Sequence, residues 1–256
     1  MSGPRKRKQR APEGPPPPPV VQRLWIRYTK TGRLRFMSHR DYTRVFERAV
    51  RRAGLPIAFS AGFTPHPKIS WVGAAPTGVA SEAEYLEIGL AAELDPTDVS
   101  SRLDAALPPD LDIVEVVPAS AKSLADRVDA SRWRFTFPGM DQSLLREAAE
   151  MLVTGESAVV ERLTQNGRKQ VDVGSAFAHA EVGGAPGCAI MTAIVRQSIP
   201  VVRPDDVYAA LRDVAGLVPP QLPQALRLAQ GSLDDTGRLL DPLAVDSPAI
   251  ASSPAS

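Results

Sequence analysis

The chain has 256 residues, with 30 lysines and arginines against 29 aspartates and glutamates, a formal net charge of +1. This length suits two modest domains with tails, and the single cysteine, Cys188, excludes an internal disulfide and a cysteine-based zinc or iron–sulfur site. No run of about 18 apolar residues is present, and prolines occupy the place of a signal peptide's apolar core. We therefore expect a cytoplasmic protein that does not cross a membrane, with no cofactor and no metal site.

The two ends of the chain have the composition of unstructured segments. Residues 1–20 carry five basic side chains before a proline run over 15–19 and are predicted to be a disordered basic arm on a stiff spacer. This arm is either a solubilising tail or a nonspecific nucleic-acid contact. Residues 236–256 are rich in Ala, Ser and Pro and are predicted to be a disordered tail.

The first folded region, residues 21–118, alternates between strand and helix patterns. After a strand over 21–28 and a turn at Thr31 and Gly32, residues 33–37 are predicted to be extended, and a helix over 39–53 is N-capped by Ser38 and ended by Gly54. The remaining elements are strands over 57–60, 68–72 and 84–90, a helix over 96–107 and a strand over 111–117.

The second region, residues 131–235, repeats this order without visible sequence identity to the first. It is predicted to contain strands over 133–137, 157–164, 188–195 and 225–229, helices over 141–152 and 204–215, and an irregular stretch over 171–181. Each region therefore reads β-α-β-β-α-β. We predict an α+β fold of two tandem ferredoxin-like modules.

The near-neutral total charge conceals a strong asymmetry along the chain. Residues 23–68 contain eleven basic side chains and two acids, whereas residues 82–129 contain twelve acids and three basic side chains. Separation of charge on this scale indicates an anionic partner for the basic part.

The predicted helix from His39 divides cleanly into two faces. Steps of about 100° per residue place Arg40, Arg44, Arg48 and Arg51 on one narrow arc, opposite the apolar side chains. A solvated charged face is the ordinary explanation for such a stripe, but helix faces of that kind usually carry acids at i±4, and here only Asp41 and Glu47 are present in the helix. We therefore predict contact with phosphate.

The first strand adds aromatic and basic groups to one sheet face. Arg23, Trp25 and Arg27 alternate with apolar residues, and single-stranded nucleic acid is bound by guanidinium groups on phosphate and aromatic rings on bases. The alternative is that Trp25 packs against the second module, and the same alternative applies to Trp133.

The loop over 62–68 holds His66 between Pro65 and Pro67, which restricts the backbone on both sides of the imidazole. Rigid presentation suits a binding or catalytic group, so the predicted binding surface includes Phe63, His66 and Lys68. His39, at the start of the arginine helix, is expected to be near this loop. Either histidine is a candidate general base, although an isolated histidine is more often structural.

Three motifs in the first region resemble those of the radical-SAM-linked protein family, a domain of unknown function found beside or fused to cobalamin-type radical SAM proteins. The resemblance spans about residues 22–230 and is carried by a glycine turn, a Ser-His-x-Asp helix start and a Gly-Phe-x-Pro-His-Pro loop. These positions are Gly32, Ser38, His39, Asp41, Gly62, Phe63, Pro65, His66 and Pro67. The chain departs from the pattern at Arg40, where an aliphatic residue is usual, and at Thr64, where asparagine is usual.

The resemblance implies a radical SAM protein as partner and, from the family's genomic setting near ribonuclease and ribosomal protein genes, an RNA connection. We therefore expect a noncatalytic RNA-binding or substrate-presenting partner of a radical SAM enzyme, active in RNA or ribosome-related modification. One alternative is a metal-independent ribonuclease, because the predicted layout is also similar to CRISPR repeat-processing enzymes at the level of fold. Another is a protein–protein adaptor.

Overall fold

The structure is a computed structural model that describes residues 17–120, 122–154, 158–165 and 167–244. Most of the predicted basic arm, residues 1–16, and the end of the predicted tail, residues 245–256, lie outside the described residues. The described part is an α+β protein with four α-helices and one large mixed sheet. None of its helices is long and apolar enough to cross a membrane.

The elements of the two regions follow one another in chain order. The first region contains β1 (Gln22–Lys30), a 3-10 helix (Gly32–Phe36), α1 (His39–Arg52), β2 (Ile69–Val72), β3 (Ala80–Leu90), α2 (Pro96–Ala106) and β4 (Ile113–Pro118). The second contains β5 (Ala130–Pro138), α3 (Gln142–Thr154), β6 (Val159–Thr164), β7 (Gly167–Asp172), β8 (Phe177–Ala185), β9 (Cys188–Arg196), α4 (Pro204–Ala215), β10 (Gln224–Leu233) and β11 (Leu239–Leu240).

Strand order is the same in both regions. In the first, β1 lies between β4 and β3, and β2 pairs with β3, whereas in the second β5 lies between β10 and β9, and β8 pairs with β9. All of these pairs are antiparallel. The β6–β7 hairpin forms a separate two-stranded sheet inserted after α3.

The two regions join into one sheet through β3 and β10. These strands pair in parallel over Ala80–Leu226 and Ser81–Arg227, beside the stretch of β3 that pairs with β2. The joined sheet has the order β4-β1-β3-β10-β5-β9-β8. The junction is short, so side chains on the two strands must help to hold it.

Helix α1 forms where the sequence predicts it because a capping residue marks its start and a glycine marks its end. The Ser38 hydroxyl accepts from the Asp41 amide and donates to the Asp41 carboxylate at 2.6 Å, which caps the first turn of the helix. Gly54 adopts a φ of +61°, a conformation that glycine takes without strain, and Pro56 follows. The apolar face, including Tyr42 and Phe46, packs on β1.

Each region has its own apolar core beneath its helices. The first core joins β1 and β3 to α1 and α2, and the second joins β5 and β9 to α3 and α4. A third, smaller cluster covers the opposite face of β1 and contains Trp25, Tyr85, Leu124 and Leu243. The last of these belongs to the segment that the sequence predicts to be disordered.

The structure differs from the sequence-based prediction at four segments. Residues 33–37 are not extended, because the chain turns tightly around Asp110: the Thr31 amide donates to its carbonyl, and a Cβ on Gly32 would lie 2.0 Å from its carboxylate. The stretch 57–60 makes only isolated bridges to Leu90 and Pro67 rather than a strand.

The other two differences add strands. The stretch 171–181 is irregular only over residues 173–176, since it also holds the end of β7 and the start of β8. Its alanines and Gly174 have low strand propensity, which conceals the pairing of β8 with β9. The predicted tail contributes β11, which pairs with β10, and Leu243, which is 3 % exposed.

A buried ion cluster of Lys30, Glu84 and Arg227 lies at the β3–β10 junction. The Arg227 guanidinium donates to the Glu84 carboxylate and, at 2.6 Å, to the Gly73 carbonyl, and Lys30 donates to the Ala75 carbonyl at 2.9 Å. Burial raises the pKa of Glu84, but Arg227, Ser81 and Lys30 outweigh it and lower the pKa overall. The cluster therefore ties both regions to the loop over 73–78.

We expect Arg227→Met to lower the free energy of unfolding by about 3 kcal/mol, because it leaves the Glu84 carboxylate buried without its guanidinium. In a protein that already carries E84Q, Arg227→Met should cost at least about 1 kcal/mol less, since the effects of substituting two residues in direct contact on the free energy of unfolding are not additive. Urea unfolding of the four proteins measures this coupling. The exposed Arg212→Met is the control, with an effect within about 0.5 kcal/mol.

Additive losses from E84Q and R227M would contradict the assignment of this pair.

The pH dependence provides a second check: because the folded pKa of Glu84 is lowered, its stabilisation is fully present above the unfolded glutamate pKa of about 4.3. The stabilisation is lost as pH falls through the lower folded pKa.

Candidate nucleic-acid interface

The arginine stripe of α1, which consists of Arg40, Arg44, Arg48 and Arg51, faces solvent. All four side chains are exposed, and none forms an ion pair with a described residue. At about 1.5 Å per residue the stripe extends over about 16 Å. Its guanidinium groups are thus free to bind an external anion.

The arginines of β1 are placed differently, because the acidic part of the chain folds against them. Arg27 pairs with Glu115 at 3.1 Å and with Asp241 at 3.2 Å, and Arg23 lies 3.6 Å from Glu87. Pairing of β1 with β3 and β4 brings Glu87 and Glu115 close to these arginines, whereas Asp241 comes from the segment after β11. The predicted basic face of β1 is therefore largely neutralised within the chain.

Trp25 lies on the same face of β1 as these arginines but is only 2 % exposed. Its indole N–H donates to Glu87 at 2.7 Å, the Arg127 guanidinium lies 5.1 Å from its ring centroid, and Leu243 packs against it. An indole buried in this way cannot stack on a base. Trp25 therefore packs within the protein instead of stacking on a base as predicted. The residues that pack over it include Leu124 and Leu243, and not the second region as the alternative expected.

The His66 loop, residues 62–68, is an exposed turn before β2. Its base is closed by Ser60, whose amide donates to the His66 carbonyl at 2.9 Å and whose hydroxyl accepts from the His66 amide at 3.0 Å. Phe63 is 72 % exposed, and His66 and Lys68 are also exposed. The loop therefore presents an aromatic ring, an imidazole and an ammonium group to solvent.

His39 does not lie beside this loop, contrary to the sequence-based expectation. Its ring contacts Trp71 near the end of β2, with centroids 5.5 Å apart, whereas His66 precedes the start of β2. The two candidate general bases thus lie at opposite ends of that strand. The Thr43 hydroxyl lies 3.4 Å from His39 Nδ1.

A cleft of about 1270 Å³ separates the two regions and was not predicted from the sequence. We call it the inter-region cleft. Its lining includes five arginines against one acid, Asp205, among the described residues. The arginines are Arg35, Arg134, Arg196, Arg203 and Arg227.

Aromatic side chains line the same cleft. They are Phe36, Trp71, Trp133 and Tyr208. Trp71 and Phe36 come from the first region and Tyr208 from α4 of the second. Trp133 is buried under Arg227, whose guanidinium lies 5.5 Å from the ring centroid. The exposed stripe and this cleft are therefore two separate basic surfaces, and His39, which contacts Trp71, lies between them.

Sequence reasoning missed the cleft because its walls come from positions far apart in the chain. Arg35 and Arg203, for example, are brought to one cavity only by the pairing of β3 with β10. No local motif marks that pairing. Among these cleft residues, Arg203 is the one whose place follows from a local signal, because Pro204 marks the start of α4 directly after it.

Residues 23–204 match the family described as an uncharacterized protein conserved in bacteria (DUF2344). The match covers most of the chain, and the chain belongs to this family. The predicted membership of a domain family of unknown function is confirmed to this extent.

No curated protein matches the sequence. A solved structure described as the crystal structure of an unknown protein from Galdieria sulphuraria is 16 % identical, over 76 % of this chain and 92 % of that chain. Its TM-score is 0.24, which is too low to support an argument about fold.

We expect His66→Ala to change the free energy of unfolding by less than about 0.5 kcal/mol, because the imidazole is exposed and only the backbone of His66 is hydrogen-bonded. Thermal or urea unfolding measures this, with Phe46→Ala, a core change expected to cost about 3–5 kcal/mol, as the positive control. A loss of several kcal/mol for H66A would assign the imidazole a structural role.

Proposed function

We propose that this protein is a noncatalytic RNA-binding protein whose primary contact is the arginine stripe. The observation that carries the proposal is that four exposed guanidinium groups on one helix face have no ion-pair partner among the described residues. Arginine binds phosphate through its planar fork of donors, and an exposed row of them suits a phosphate backbone. The His66 loop, with Phe63 and Lys68, is a proposed second contact on the same region.

The electrostatics of the rest of the first region support this choice. The arginines of β1 are occupied by acids, so attraction for an anion is concentrated on α1 and on the loops beside it. Helix α1 carries two acids, Asp41 and Glu47. The Asp41 carboxylate accepts a hydrogen bond from the Ser38 hydroxyl. We propose that RNA lies along α1 rather than across the sheet face of Arg23, Trp25 and Arg27.

We further propose that the two regions are tandem ferredoxin-like modules. The equal strand order in the two regions, with the first strand between the third and fourth, supports this reading, with the β6–β7 hairpin as an insertion. Partnership with a radical SAM enzyme, in RNA or ribosome-related modification, is a proposal that rests on the resemblance of the Ser38 and His66 motifs. In that role the RNA-binding surface would present the substrate to the partner.

We expect Arg44→Glu with Arg48→Glu to weaken binding of single-stranded RNA at least about tenfold, through lost attraction and added repulsion. The slope of log affinity against log salt should fall by about 1.4, because each phosphate contact on a single strand contributes about 0.7 and two contacts are lost. Fluorescence anisotropy at several salt concentrations measures both. The control with equal charge change, Arg146→Glu with Arg212→Glu, should bind as the wild type does.

Unchanged affinity and slope in a folded R44E/R48E protein would mean that the stripe is an ordinary solvated face. Loss of binding in the control variant to the same degree would mean that only net charge matters. Circular dichroism and unfolding curves verify that both variants are folded.

The ribonuclease alternative makes a different prediction. A general base contributes roughly 10²-fold to 10⁴-fold in rate, and in this alternative His39 or His66 removes the 2′-hydroxyl proton while an arginine steadies the phosphate. His39 and His66 lie at opposite ends of β2, so each would have to act with an arginine rather than with the other histidine. We expect no cleavage of RNA incubated with the protein in chelator. Products ending in a 2′,3′-cyclic phosphate that disappear in H39A or H66A would overturn the noncatalytic assignment.

A further inference from the structure

The inter-region cleft has the chemistry of a site for an anionic ligand with a planar ring. Arg35 reaches it from the first region, and Arg196 and Arg203 reach it from the end of β9 and the start of α4. None of these three forms an ion pair with a described residue. Guanidinium groups from both regions therefore line the cleft without an ion-pair partner among the described residues.

Two residues that line the cleft carry buried hydrogen-bond donors that the protein itself does not use. Trp71 Nε1 and the Tyr208 hydroxyl are buried atoms without a hydrogen-bond partner among the described residues. Both residues line the cleft, one on each side. A buried donor left unpaired costs about 1–3 kcal/mol. Since both atoms have almost no exposed area, a ligand with acceptor groups would recover that cost only if the two side chains rotate toward it on binding.

The state of these donors is fixed near neutral pH. Burial, with the charge of Asp205, raises the pKa of the Tyr208 hydroxyl well above its usual value, so the phenol stays protonated and donates. The indole N–H of Trp71 is a donor only. The ligand must therefore present acceptors, as the carbonyl and ring nitrogens of a nucleobase do.

The rings and the size of the cleft favour a nucleotide over a simple anion. Phe36, under the Arg35 guanidinium at 4.7 Å, is 59 % exposed and lies at the cleft with Trp71. Aromatic and guanidinium planes are the groups on which bases stack. Ligand sites are commonly about 300–1,000 Å³, so a cleft of 1270 Å³ accommodates a nucleotide together with a neighbouring unit.

We infer that the inter-region cleft binds a nucleotide, with its phosphate on Arg35, Arg196 and Arg203 and its base against Trp71, Phe36 and Tyr208. The ligand is either a free nucleotide or the terminal nucleotide of an RNA strand, which share this chemistry. The site is distinct from the arginine stripe, and the inference does not require that the stripe bind RNA.

The test uses the full chain and two kinds of probe. Nucleoside monophosphates are titrated by calorimetry, and short RNAs with a 5′-phosphate, a 3′-phosphate or neither are titrated by anisotropy. We expect either a Kd below about 1 mM for a monophosphate or tighter binding of one phosphorylated RNA than of the unphosphorylated strand by about tenfold. The first result identifies a free nucleotide, and the second identifies a strand end.

Cleft variants connect the binding to this cavity. Arg196→Glu with Arg203→Glu should weaken the preferred probe at least about tenfold, and Trp71→Phe or Tyr208→Phe should weaken it about three- to tenfold by removing one donor each. R146E/R212E is the charge-matched control, and R44E/R48E should leave monophosphate binding within about twofold of the wild type. The Phe variants retain ring packing, so they test the site even where the double charge reversal fails to fold.

Failure of the two proposals is distinguishable. If R44E/R48E leaves RNA affinity unchanged while the cleft variants lose the nucleotide, the stripe proposal fails and the cleft stands. Absence of both monophosphate binding and any preference for a phosphorylated end overturns the inference. Normal binding by R196E/R203E and by W71F also overturns it.

Discussion

The inter-region cleft, and its position relative to the arginine stripe, depend on one short contact, the parallel pairing of β3 with β10 and the Arg227–Glu84 pair that crosses it. The Arg227 side chain on β10 donates to Glu84 and Ser81 of β3 and to the Gly73 carbonyl. One side chain therefore connects β10, β3 and the loop over 73–78. A buried ion pair adds little net stability over an apolar pair of the same shape, but breaking it is costly. Its contribution here is geometric, because it fixes how the two regions meet and therefore the width of the cleft between them. A Cβ on Gly73 would lie 2.5 Å from the Gln230 side chain, so the loop over this junction is closely fitted as well.

Folding redistributes the charge asymmetry that the sequence displays. Within the acidic stretch after β2, Glu87 and Glu115 lie on strands that flank β1 and neutralise its arginines. Glu84 is buried against Arg227. Arginines without an ion-pair partner among the described residues include the four of the stripe on α1 and Arg35, Arg196 and Arg203 in the cleft. These groups, and not the paired arginines of β1, are the ones open to an anion.

The sequence predicts the parts of this protein that local signals determine. Ser38 at the start of α1, and Pro204 and Gly216 at the ends of α4, give both helices their bounds because caps act within a few residues. The stripe follows directly from the period of α1. The cleft does not, because the Arg227–Glu84 contact joins positions 143 residues apart and no pattern within either segment encodes it. The burial of Trp25 has the same cause: alternation placed it on the correct face, but its cover comes from Leu243, in a segment whose composition indicates disorder.

The two proposed sites differ in the kind of information they supply. The stripe is exposed, so its attraction is screened by salt and reports only the phosphate backbone, which positions a strand without reading it. The cleft combines charge with buried donors and rings, and a group with the wrong acceptors leaves Trp71 Nε1 and the Tyr208 hydroxyl unpaired, which gives selectivity. His39 begins α1 and packs on Trp71, which lines the cleft, so His39 lies between the stripe and the cleft. If RNA binds along α1 as proposed, its path toward the N-terminal end of the helix leads to the cleft, and the helix that orients the backbone would then also select the nucleotide that reaches the cleft.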